Sequence, residues 1–92
     1  MKFEWDTRKA EHNLKKHKVS FEEASTVFFD DLAKIAFDPD HSEDEHRQIV
    51  IGHSYNKNLL FVVHIAHGEK NVIRIISARK ATKKERLDFE NL

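Results

Sequence analysis

The stretch HRQIVIGHSYNKNLLFVVHIAHGEKNVIRIISAR, residues 46–79, holds three apolar runs, at 46–52, 59–66 and 71–79, separated by HSYNKN and HGEK. Runs of this length rich in Val, Ile and Phe suit strands, and connections this short and turn-rich make neighbouring strands antiparallel. The rest of the chain has to supply the elements that cover such a sheet.

Upstream, KFEW (2–5) alternates, with Phe3 and Trp5 on one face, and suits a short first strand. Asp6 can cap a basic helix over 7–17 whose thin apolar stripe is Ala10 and Leu14. Ser20 followed by Glu23 reads as a capping box, which starts a second helix at Phe21 with the stripe Phe21, Ala24, Val27 and Phe28, ending near Asp30. AKIAF (33–37) makes a brief strand, and DPDHSEDE (38–45) a polar loop. Thr82 with Glu85 is a second capping box, opening a helix at Lys83. The order β-α-α-β-β-β-β-α predicts an α+β fold: an antiparallel sheet with the two N-terminal helices on one face and a C-terminal helix, all in one domain spanning 1–92.

The chain has no cysteine, so disulfides and thiolate metal sites are excluded and packing must supply the stability, which fits a reducing cytoplasm. No apolar run approaches the roughly 18 residues that span a bilayer, and MKFEWDTRK lacks the apolar stretch of a secretory signal. Formal net charge is zero, but it is unevenly spread: residues 22–45 carry nine acids and one lysine, and residues 70–86 seven bases and one acid. This split suits a basic face for a polyanion and an acidic face for a basic partner, or two segments that neutralise each other across the fold.

Strand parity locates candidate chemistry. If Leu59, Phe61, Val63 and Ile65 form the core row of their strand and Ile73, Ile75 and Ser77 that of the last, His64 and Arg74 share the uncovered face. Arg79 is an odd step from Arg74 and joins it only if the strand is irregular near Ser77 or Ala78. Such a face suits a phosphodiester: arginine grips two phosphate oxygens and stays charged, while an imidazole or carboxylate moves protons. His64 is the candidate acid or base, and Glu45 with Arg47 a candidate base and phosphate clamp. Against these stand a half-buried structural histidine, a surface ion pair for Arg74 and a cross-strand pair for Glu45 and Arg47. Trp5 can stack on a base or join the core. The histidine- and acid-rich DPDHSEDEH matches no zinc spacing, so neither a metal nor another cofactor is expected.

Several ordered pieces resemble one family: FEWD (3–6), Lys9, Ala10 and Asn13, KH (16–17), VSFEEA (19–24), DHSEDEHR (40–47), IG (51–52), VVH (62–64), and RIISAR followed by ATKKER (74–86). Together they are similar to BrnT-type toxins, the ribonuclease half of a type II toxin–antitoxin pair, with a RelE-like fold. The resemblance implies a metal-independent endoribonuclease that cuts messenger RNA and inhibits translation. It also implies a BrnA-type ribbon-helix-helix antitoxin, with operator DNA bound only through the toxin–antitoxin complex, and no membrane. It assigns Arg74, Arg79, His64, Glu45 and Arg47 to catalysis, and Trp5, Lys9, Lys16 and His17, with Lys80 beside them, to RNA contact. Where such sequences have glycine after KH, this one has Lys18, which costs about 1 kcal/mol if the helix ends in a left-handed turn there. The alternative from a different class is a non-catalytic module that binds nucleic acid through its basic face and protein through its acidic segment.

Overall fold

The computed structural model describes residues 1–37 and 47–91. Its five strands are β1 (Lys2–Glu4), β2 (Lys34–Phe37), β3 (Arg47–His53), β4 (Leu59–His67) and β5 (Val72–Lys80). The helices are α1 (Thr7–His17), α2 (Phe21–Thr26) and α3 (Lys83–Glu90), with 3-10 turns at Val27–Phe29 and Gly68–Lys70. The strands form one sheet in the order β1-β5-β4-β3-β2. It is mixed rather than wholly antiparallel: β1 runs parallel to β5, pairing Lys2 with Val72 and Glu4 with Arg74, because α1 and the following elements intervene before the chain returns to it.

The helix ends follow local chemistry. The Asp6 carboxylate accepts hydrogen bonds from the amides of Arg8 (2.8 Å) and Lys9 (3.1 Å), and these bonds hold its pKa below the usual value. α1 ends on Lys18, a left-handed residue (φ 61°) whose amide bonds the Leu14 carbonyl, so lysine here occupies a conformation that glycine adopts freely. The Ser20 hydroxyl accepts from the Glu23 amide (3.0 Å), but the return half of that box is absent. Glu23 turns instead to the β3–β4 connection, accepting from the Ser54 hydroxyl (2.6 Å) and the Asn58 amide group (2.8 Å). The Thr82–Glu85 box is complete.

The core lies between α2 and the sheet: Phe21, Ala24 and Val27 pack with Val19, Val50, Leu60, Val62, Ile75 and Ala78, while Phe3 and Trp5 close its side. Phe21 is fully buried, which contributes about 2–3 kcal/mol. Gly52 lies under the 3-10 turn, where an added Cβ would come within 2.8 Å of the Ala33 side chain and 3.0 Å of Val27. That close approach lets Asp30 accept a 2.8 Å bond from the His53 amide, which lowers the Asp30 pKa and ties the end of α2 to β3.

Two expectations about helix and strand faces are corrected. Leu14 is 49% exposed, and the buried residue of α1 is Asn13, which spans two elements. Its side-chain amide donates to the carbonyls of Val19 (3.0 Å) and Ala78 (2.8 Å), and its oxygen accepts from the Ala78 amide (3.0 Å). Asn13 therefore continues the hydrogen-bond ladder of β5 beyond the end of β1, and α1 is fixed along that strand. On β4, Leu60, Val62 and His64 face the helices, whereas Phe61, Val63 and Ile65 face the other side. Alternation misassigned them because both faces of this central strand are apolar: Leu59 and Ile65 are buried as well.

Candidate nucleic-acid interface

The sheet face turned away from α2 carries one row of paired residues that crosses four strands: Glu4, Arg74, Ile65 and Arg47. Arg74 and Arg47 flank Ile65 on either side, their backbones about 10 Å apart, a span that two long guanidinium side chains can close over one phosphate. Together with Lys9 from α1 and His67 at the end of β4 they line a cleft of about 560 Å³. A second cleft of about 310 Å³ adjoins it, sharing Lys9 and Ile76 and adding Arg8, His12, Lys16 and His17 from α1. Among the described residues no carboxylate lines either cleft. Partial desolvation, helped by the positive charges of Lys16 and Arg79, lowers the pKa of His17.

The second cleft exists because β5 is irregular. Val63 pairs with Ser77 and His64 with Ile75, which leaves Ile76 without a partner on β4. This extra residue reverses the parity of everything after it, so that Ala78 enters the core while Ser77 and Arg79 join the face of Arg74. The irregularity falls one residue before the expected Ser77–Ala78 pair.

Sharing a face does not bring Arg79 to Arg74. Four residues of β4 separate their rows, Ile65 from Phe61, or about 13 Å along the strand. The Arg79 guanidinium lies over the Phe61 ring (4.0 Å) and donates to both carboxylate oxygens of Glu85, at 2.7 and 2.9 Å. This bidentate pair holds the Glu85 carboxyl down to about 2. Arg74 instead donates one 2.8 Å bond to Glu4, and both partners are substantially exposed, so the pair is worth at most about 1 kcal/mol and a phosphate can compete for it. Neither pair uses an acid from the 22–45 segment.

Other expected site residues are separated from the cleft. His64 does not share the open face: it is 1% exposed and sits edge-on against Phe28, with ring centroids 4.8 Å apart. Burial lowers its pKa, and no substrate reaches it. Trp5, half-buried, packs edge-on against Phe21 (5.9 Å) at the side of the core and lines neither cleft. Lys80 is exposed but lines neither cleft. Glu45, and the acidic segment and histidines 41 and 46 around it, lie outside the described residues. Sequence reasoning missed His67, Arg8 and His12. His67 becomes visible once Ile65 is known to pair with Arg74, since the two β4 residues share a face.

The sequence pattern of the family described as "Ribonuclease toxin, BrnT, of type II toxin-antitoxin system" matches residues 5–85. In fold, the chain is similar to the Brucella abortus ribonuclease toxin BrnT, whose crystal structure superposes with a TM-score of 0.69 at 24% identity, over 90% of this chain and 99% of that one. No curated protein sequence matches it. The family pattern takes in the FEWD end, the KH and VSFEEA segments and the RIISAR strand, with Lys9 and Arg74 of the cleft inside it, and the chain belongs to the BrnT family of ribonuclease toxins of type II toxin–antitoxin systems.

Proposed function

We propose that this chain is a metal-independent endoribonuclease that cuts RNA by attack of the neighbouring 2′-OH on phosphorus. Cutting messenger RNA in the cytoplasm would stop translation, and a BrnA-type ribbon-helix-helix antitoxin would neutralise the toxin and carry the complex to operator DNA. A RelE-like fold belongs to the same reading. The observation that carries it is the cleft in which Lys9, Arg47 and Arg74 converge beside a row of further bases on α1. In the transition state the negative charge on the non-bridging oxygens grows, and the Arg47 and Arg74 guanidinium groups would stabilise it, Arg74 exchanging its exposed bond to Glu4 for the phosphate. The second cleft would hold the neighbouring phosphate of a single strand, with Lys16, Arg8 and His17 as its contacts.

The test is an RNA-cleavage assay of the protein beside Arg74→Ala, with and without EDTA, and with product ends examined. Expected are 2′,3′-cyclic phosphate ends, cleavage that persists in EDTA, and its loss in the variant. Intact RNA together with unslowed growth on expression would overturn the enzymatic reading in favour of a binding module; EDTA sensitivity would overturn only the metal-free part.

A further inference from the structure

The cleavage step needs a group that takes the 2′-OH proton, and the structure removes the histidine that sequence parity offered. His64 faces the helices under Phe28 and cannot touch a ligand. Three residues further along the strand, on the open face that Ile65 also occupies, is His67, which is exposed and lines the same cleft as Arg47 and Arg74. Ile65 pairs with Arg74 and His67 with Val72, so His67 is a diagonal neighbour of Arg74, roughly 7–8 Å away at the backbone. That spacing accommodates a phosphate gripped by the arginine with its adjacent ribose against the imidazole. Among the described residues, the other histidines near the site, His12 and His17, line the neighbouring cleft, whose lining includes neither Arg47 nor Arg74.

We propose that His67 is the base of RNA cleavage: its imidazole takes the 2′-OH proton as that oxygen attacks a phosphate held by Arg47 and Arg74. The O2′–P bond forms, the P–O5′ bond breaks, and the electron pair leaves on O5′, which takes a proton from water. The products are a 2′,3′-cyclic phosphate and a 5′-OH. This rests on the ribonuclease reading above and identifies its proton acceptor. Among the described residues, the charged groups around the imidazole are Lys9, Arg47 and Arg74 in the cleft and Glu69 and Lys70 on the turn that follows β4, with Glu4 reaching Arg74 from β1.

The experiment compares wild type, His67→Gln and Arg74→Ala in single-turnover cleavage and in RNA binding, across pH 5 to 8. His67→Gln is expected to lower the cleavage rate at least about 100-fold, to leave RNA affinity within about threefold, and to abolish the loss of rate on the acid side. On a uridine 3′-(p-nitrophenyl phosphate), whose leaving group departs unprotonated, the His67→Gln defect should stay the same size. A rate within threefold of wild type, a defect matched by lost binding, or rescue by the p-nitrophenyl substrate would each overturn the assignment. If Arg74→Ala abolishes cleavage while His67→Gln does not, only this inference fails; if the wild type cuts no RNA, the ribonuclease reading fails with it.

Discussion

Arg74 and Arg79 stand on the same strand and the same face, yet their surroundings give them different work. Arg74 shares one exposed hydrogen bond with Glu4 and opens onto a cleft lined by Lys9, Arg47 and His67. Arg79 has several partners, with Phe61 beneath it, Glu85 across from it in a bidentate pair, and the Lys80 carbonyl accepting a further bond at 3.2 Å. Through Glu85, which also completes the Thr82 cap, that arginine fastens α3 to the sheet. The helix needs such a fastening: it has no buried residue, and its other anchors among the described residues include Phe89 against His53 and the Lys34 ammonium, which bonds the Phe89 carbonyl (2.7 Å) and lies over its ring. Identical side chains thus differ in their partners: Arg74 has one exposed bond beside a cleft, and Arg79 has a bidentate bond to a carboxylate that its own helix cap holds in place.

The sharpest way to break this contrast is to truncate each arginine. Arg74→Ala should lower RNA cleavage by about 100- to 1,000-fold, as loss of a transition-state donor does, while thermal stability stays within about 1 kcal/mol. Arg79→Ala should do the reverse, lowering stability by about 1–3 kcal/mol through loss of a partly buried, charge-assisted pair, with a smaller effect on cleavage. Equal losses of activity in two folded variants would erase the distinction. Both are read by cleavage rate beside chemical denaturation.

Next in size is the device that sets α1 against β5. Asn13→Ala removes three buried hydrogen bonds and strands the Ala78 amide and carbonyl, so a cost of about 2–4 kcal/mol is expected in urea denaturation. Because Lys9 and Lys16 ride on that helix, RNA affinity should fall with it, and a variant of unchanged stability would show that the Asn13 bridge does not hold the helix.

Acid titration sharpens the Arg79 side. The Glu85 pKa is depressed to about 2, so its pair contributes fully above the ordinary carboxylate value near 4.5 and is lost as pH falls through about 2. The stability gap between wild type and Glu85→Gln should therefore close between pH 5 and 2, as followed by urea midpoints. His64 gives a second, independent slope. Its pKa is lowered by burial, so the unfolded chain binds the proton first and stability falls as pH drops below about 6.5, a slope that His64→Leu should remove.

The smallest effect expected is a gain. Lys18 holds φ 61° at the end of α1, so Lys18→Gly should stabilise the protein by about 1 kcal/mol, measurable as a higher urea midpoint, with cleavage unchanged.

Much of the architecture was legible because it is local. Asp6, Ser20 and Thr82 announced their helix starts through short-range hydrogen bonds to nearby amides, and the short connections after β3 and β4 forced antiparallel neighbours. The basic character of α1 and of β5 likewise came from residue types alone, and Lys9, Arg47, Arg74, Lys16 and His17 do line the paired clefts. Faces were another matter. Both sides of β4 are apolar, so alternation offered no sign of which side the helices cover, and His64 and His67 could not be told apart in role.

By itself the sequence determined the elements, their order and the chemistry available to them, since caps, turns and periodicity act over a few residues. Only the tertiary structure decided which groups meet. The extra residue Ile76 turns Arg79 onto the face of Arg74, Glu85 then occupies it, and Asn13 finds an unpaired stretch of β5 that lies 65 residues away in the chain. Register, bulges and long-range pairing are set by the packing of the whole sheet, and a one-residue change in them exchanges core for surface along an entire strand.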